Sequence, residues 1–248
     1  MLSVSCALGF VILARMTMDN SRESVEFLLR AWPSIIRECR AALGSELYYQ
    51  AVIYHNLRQV GVPLLQMGMN VKMQIDKPVS RLFKRLDLKK HEDYRGGFEP
   101  IPDVALFSPR VSADWRRRKN DVTLSSLLLA IEVKASERAN SRLLPGEVTG
   151  DIKKLAAHRD EAKHRGGDFY PVMMVIDTAP LLKEQMTKYS FDLARQSAEE
   201  LSVGFLYLSP ETEFDSVSEH LEGPHEGRLA LLAPTNAKSP QRSPGAPS

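Results

Sequence analysis

The sequence predicts an α/β domain whose central mixed sheet, of about four to five strands, is flanked by helices in the order α-β-β-β-α-β-α-β. Three observations carry this. Leu127 to Ile131 and Val172 to Ile176 are continuously apolar, the pattern of strands buried on both faces. Segments with apolar residues at helical spacing precede, separate and follow them. No internal repeat and no domain-length linker interrupts the 248 residues, and 43% apolar content suffices for a substantial core.

In chain order, residues 1–15 hold an apolar run, Leu2 to Ala14, of signal-peptide length and too short to span a bilayer. No positive charge precedes it and Arg15 follows it. It reads as a start site placed too far upstream, with Met16 or Met18 as the true beginning, rather than as an export signal. Residues 16–43 form an N-terminal helical segment packing on the core. Ser21 can cap it, and Val25, Leu28, Leu29, Trp32, Ile35 and Ile36 recur at helical spacing. Pro33 inside it predicts a kink or a split.

Residues 44–222 form the main domain. Ser45 can cap a second helix reaching about Val60, with Leu47, Ala51, Tyr54 and Leu57 or Arg58 inward and Glu46 and Gln50 sharing a face at the edge of that stripe. Gly61-Val62-Pro63 stops it. Leu64 to Ile75 reads as a first strand, with Met67, Met69, Val71, Met73 and Ile75 alternating. Val79 to His91 is a basic short helix or ordered loop, and Gly96-Gly97 marks a turn. Ile101 to Phe107 reads as a second strand that Pro102 allows only near its start. A polar, arginine-rich insertion over residues 108–122 leads to the strand Leu127 to Lys134. Trp115 in that insertion is expected to pack locally rather than to stack on an unpaired base. Pro145-Gly146 opens a helix from Glu147 to about His164, ended by Gly166-Gly167. The strand Tyr170 to Ile176, a helix from about Leu181 to Leu201 and a last strand from Val203 to Leu208 follow. Residues 223–248 are a Pro/Ser-rich tail, expected to be disordered.

Net charge is +2, but its distribution is uneven: basic residues cluster over 81–90 and 110–119, while 199–226 holds acids and no Lys or Arg. A basic face of this kind can meet a polyanion. Cys6 and Cys39 make neither a disulfide framework nor a zinc pattern, so a reducing, cytoplasmic setting is the default. No later stretch is long and apolar enough to predict a membrane span.

Phosphate-binding glycine loops, the Gly-x-Ser-x-Gly elbow and His-Glu-x-x-His are all missing from the sequence. What remains is Asp103 at the head of one strand and Glu132-Val133-Lys134 at the end of the next. Side chains alternate along a strand, so Glu132 and Lys134 project from one face. If the two strands are neighbours, two carboxylates meet at one rim, which is unfavourable unless something cationic lies between them. Oxygen ligands on a rigid, open frame suit Mg²⁺.

Pro102-Asp103 followed by Glu132-Val133-Lys134 resembles the PD-(D/E)XK nuclease superfamily, and the element order over about residues 44 to 208 is similar to its restriction-endonuclease-like core. The insertion accounts for the twenty-eight residues between Asp103 and Glu132. The resemblance implies a nuclease, most naturally an endonuclease on DNA, with Asp103 and Glu132 binding Mg²⁺ (Mn²⁺ substituting) and Lys134 orienting or helping to deprotonate water. It places Glu46 where many members carry an assisting glutamate. It also implies nucleic-acid contacts for Lys153 and Lys154 on the following helix and for Arg116, Arg117 and Arg118. The glutamine that some subfamilies place on that helix is missing here. A homodimer is compatible with it. The same residues leave open a catalytically silent module that binds nucleic acid or a partner protein.

Overall fold

A computed structural model describes residues 17–92, 95–111, 113–115 and 121–222. The leader over 1–15, the expected start at Met16, the guanidinium cluster Arg116, Arg117 and Arg118, and the tail over 223–248 lie outside the described residues.

Helix α1 (Ser21–Ala41) starts one residue earlier than its pattern predicts, because Asn20 rather than Ser21 caps it by accepting from the Glu23 N–H. It runs unbroken through Pro33, whose ring lies on the exposed side. Helix α2 (Glu46–Gln59) is capped by Ser45, as expected. Its inward stripe is Tyr49, Val52, Ile53, Asn56 and Leu57, whereas Leu47 and Ala51 face outward. Both stripes are similarly apolar, so helical spacing alone does not choose between them.

The expected first strand, Leu64 to Ile75, divides. Strand β1 (Met67–Met69) ends at Asn70, which adopts a left-handed φ of 50° and turns the chain. Val71 and Met73 then cross to the other core, and β2 (Ile75–Asp76) pairs with β3 (Gly97–Phe98) in a separate two-stranded sheet. Between them lies the basic segment as helix α3 (Arg81–Leu88), capped by Ser80. Strand β4 (Val104–Phe107) begins just after Pro102-Asp103. The described part of the insertion packs Trp115 on Phe107, with ring centroids 4.8 Å apart, and ends in the short helix α4 (Asp121–Ser125).

Strand β5 (Leu127–Ala135) is buried along its body, and helix α5 (Pro145–His164) ends as expected at Gly166, where φ is 77°. Strand β6 (Tyr170–Ile176) follows. Helix α6 (Lys188–Glu200) begins later than expected: Thr187 caps it, and the Asp177 carboxylate pins the preceding loop through the Met186 N–H. Strand β7 (Gly204–Leu208), an unforeseen edge strand β8 (Glu213–Asp215) and helix α7 (Ser218–Glu222) complete the described chain.

The central sheet has six strands, in the order β1-β4-β5-β6-β7-β8, rather than the expected four to five. It is mixed: β4 is antiparallel to β1 and β5, β5-β6-β7 are parallel, and β8 is antiparallel to β7. Alternation along β5 divides the interior in two. Leu129, Ile131 and Val133 join the core beneath α1 and α2, while Ala130 joins the core beneath α5 and α6. Glu132 and Lys134 continue the parity of Ala130 where the strand reaches the rim. Among the described residues no helix is long and apolar enough to cross a membrane.

Candidate active site

The register of β4 on β5 creates the site. Val104 lies opposite Ile131, so the next residue outward on each strand is Asp103 and Glu132 respectively. Asp103 is buried and both its oxygens are held. Oδ2 accepts from the Val133 N–H at 2.7 Å, and Oδ1 accepts from Gln50 Nε2 at 2.7 Å. Asn70 Nδ2 donates in turn to Gln50 Oε1 at 3.2 Å, and the Asn70 N–H donates to the Asp103 carbonyl at 3.1 Å. The left-handed residue that follows β1 is therefore tied to Asp103 twice, directly at its backbone carbonyl and through Gln50 at its carboxylate.

Lys134 is the ionic centre. Its Nζ lies 3.2 Å from Glu46 Oε2 and 3.2 Å from Asp151 Oδ2, and donates to the Val133 carbonyl at 3.3 Å. Glu46 comes from the first turn of α2 and Asp151 from the second turn of α5. One lysine on β5 thus joins helices from both faces of the sheet. Asp151 also accepts from Lys154 Nζ at 2.7 Å. Glu132 is half-buried, and its carboxylate makes no hydrogen bond or ion pair to any described residue.

Four carboxylates face two lysines here, and the protonation pattern follows. Burial pushes Glu132 up to about 8, reinforced by the charges of Asp103 and Asp151. Burial also raises Asp103, to about 6, against the opposing Val133 hydrogen bond. With Glu132 raised to about 8, the rim holds a proton near neutrality that an added cation would displace. For Lys134, burial favours the neutral amine, but Asp151, Glu46 and Glu132 outweigh it and hold the group above the ordinary ammonium range. Lys134 is thus held as an ammonium, a form that can orient water and offset negative charge.

Asp103, Glu132, Lys134 and Glu46, expected from the sequence, therefore come together, and Lys154 joins them through Asp151. Lys153 does not: it is exposed and makes no contact with the site. Sequence reasoning missed Asp151, Gln50 as the partner of Asp103, and His158, a buried residue one turn of α5 beyond Lys154. The signal for Gln50 was its position one turn after Glu46 on the same helix. For Asp151 it was an acid three residues before Lys154 on a helix opposite the strand's charged end.

Three or more metal-ligating side chains do not converge as a preformed cage among the described residues. Mg²⁺ does not require one, since it commonly takes one or two carboxylates and retains waters. Asp103, fixed by two hydrogen bonds, and Glu132, with no partner and a raised affinity for a positive charge, are hard oxygen donors that fit such an ion.

No family model matches the chain, and comparison with curated proteins and with solved structures finds no match either.

Proposed function

We propose that the chain is a Mg²⁺-dependent nuclease with a PD-(D/E)XK-like core, hydrolysing phosphodiester bonds in nucleic acid, DNA foremost. One observation carries this reading: the β4–β5 register sets Asp103 beside Glu132 while Lys134, on the same face as Glu132, is held in place by carboxylates from both flanking helices. Asp103 and Glu132 would hold the metal, which when bound supplies Lewis-acid polarisation of the phosphodiester and acidifies a water.

The chain's own residues then divide the work. Gln50 and the Val133 N–H fix the Asp103 carboxylate, a supporting role whose loss commonly costs about 10–100-fold in metal affinity. Lys134 orients the attacking water and offsets charge developing on the phosphorane oxygens. Glu46 and Asp151 keep its ammonium in position, and Glu46 is also placed to accept a proton from water that Lys134 orients. A second reading, binding without cutting, draws on the same ion pairs, because Lys134 must be released in part from Glu46 or Asp151 to meet a substrate.

The test is incubation of the purified full chain with plasmid and with single-stranded DNA, in Mg²⁺, in Mn²⁺ and in chelator. Cleavage should require the metal and should fall by on the order of 10²–10³ in Asp103→Ala and in Lys134→Ala. Wild-type rates in those variants would sink the site assignment. Salt-sensitive binding with no cutting under any metal would favour the silent module.

A further inference from the structure

Beside Glu132, between β3 and α5, lies a cleft of about 210 Å³. Its apolar lining includes Phe98, Pro100, Ile101 and Leu155, and its charged and polar lining is Glu99, Glu132, Asp151, Lys154 and His158. The cleft is built rather than incidental. Phe98 stacks on the fully buried Phe83 of α3, centroids 4.2 Å apart and planes 23° from parallel. The Ser80 N–H at the start of α3 donates to the fully buried Glu161 of α5 at 2.7 Å, locking the two walls together. His158, 2% exposed, is among the residues lining the cleft, and its buried Nε2 has no hydrogen-bond partner among the described residues.

The chemistry of an occupant follows from these groups. The volume is below the roughly 300–1,000 Å³ of pockets for drug-sized molecules, so a single ring system fits. Aromatic, proline and aliphatic side chains form one part of the wall, and three carboxylates with one lysine form another. Burial lowers the His158 pKa and keeps the imidazole neutral, so this wall brings no positive charge to an occupant. An anion would gain nothing from neutral His158 and would meet Glu132 and Asp151. A neutral planar heterocycle can lay its faces on Phe98, Ile101 and Leu155 and turn its N–H donors toward the carboxylates. Lys154, at 54% side-chain exposure beside the same cleft, is placed for the phosphate attached to such a ring.

We propose that this cleft receives one unpaired nucleobase adjoining the bond to be cut, so that the substrate is a single strand or a locally unpaired end or junction rather than continuous duplex. The proposal rests on the nuclease reading of the neighbouring rim, and binding tests it separately from cutting. The probe is fluorescein-labelled oligothymidine, compared with a fully abasic strand of equal length and with duplex, by anisotropy on the full chain in chelator.

Oligothymidine should bind about tenfold or more tightly than either competitor. Ile101→Trp should fill the cleft, and because Ile101 is 39% exposed the larger ring leaves the core undisturbed. It should lower oligothymidine binding about tenfold and leave the abasic strand unchanged, with an unaltered thermal melt. His158→Phe, of similar volume, should lower the preference for bases several-fold and serves if Ile101→Trp misfolds. Equal binding of the abasic strand by wild-type protein, or parallel losses for both strands in the variants, overturns the cleft. A base preference that Ile101→Trp removes, in a protein that never cuts with Mg²⁺ or Mn²⁺, upholds the cleft and removes the nuclease reading instead.

Discussion

Asp103 is the residue on which the site turns, and Gln50 is its least obvious support. Replacing Gln50 with Leu leaves Asp103 Oδ1 without its 2.7 Å donor. Chemical denaturation should show a loss of about 1–3 kcal/mol, and metal titration should weaken by about 10–100-fold. Glu132 gives a prediction of opposite character. Its folded-state pKa of about 8 lies above the ordinary 4.5, so the folded protein binds this proton more tightly than the unfolded chain does. The associated stability is complete below pH 4.5 and is lost as pH rises through about 8. In chelator, denaturation midpoints should fall from pH 5 to pH 9, and Glu132→Gln should flatten that slope.

Strand β5 was legible because its apolar run is unbroken and its Glu-x-Lys end is chemically abrupt. The stretch before it was not. Met67, Met69, Val71, Met73 and Ile75 keep period two across a break, since the first residues pack beneath α1 and α2 and the last three enter the opposite core. Nothing in that alternation reveals that Asn70 turns left-handed between them. Asn70→Val should cost about 1–3 kcal/mol in denaturant unfolding. Asn70→Gly should restore the backbone while still losing the Nδ2 bond to Gln50, so its stability should lie between the two. Helix α2 was legible in extent, but its face was fixed only by tertiary partners: Tyr49 Oη meets Thr178 Oγ1 at 3.0 Å, and Gln50 meets Asp103.

Across the whole molecule, one sheet separates two cores, and the charged cluster sits where β5 leaves both of them. Its lysine ties α2 on one side to α5 on the other, an arrangement that places polar groups at the carboxyl end of a parallel strand, where open α/β sheets commonly bind ligands. The order of elements, the two buried central strands and three of the four site carboxylates could be read from the sequence, because periodicity and charge placement are local signals. Asp151, the cleft at His158 and edge strand β8 could not, because each depends on which surfaces meet in three dimensions.

The most direct measurement is calorimetric titration of Mn²⁺ into the full chain, wild type and Asp103→Asn, in buffers of differing ionisation enthalpy at pH 7 and pH 9. A metal bound by Asp103 and Glu132 must displace the proton held there near neutrality. The expected result is one site per chain, more protons released at pH 7 than at pH 9, and binding weakened at least tenfold in Asp103→Asn. Binding that is absent in the wild type, or that is unchanged by Asp103→Asn, would contradict a metal site at this rim.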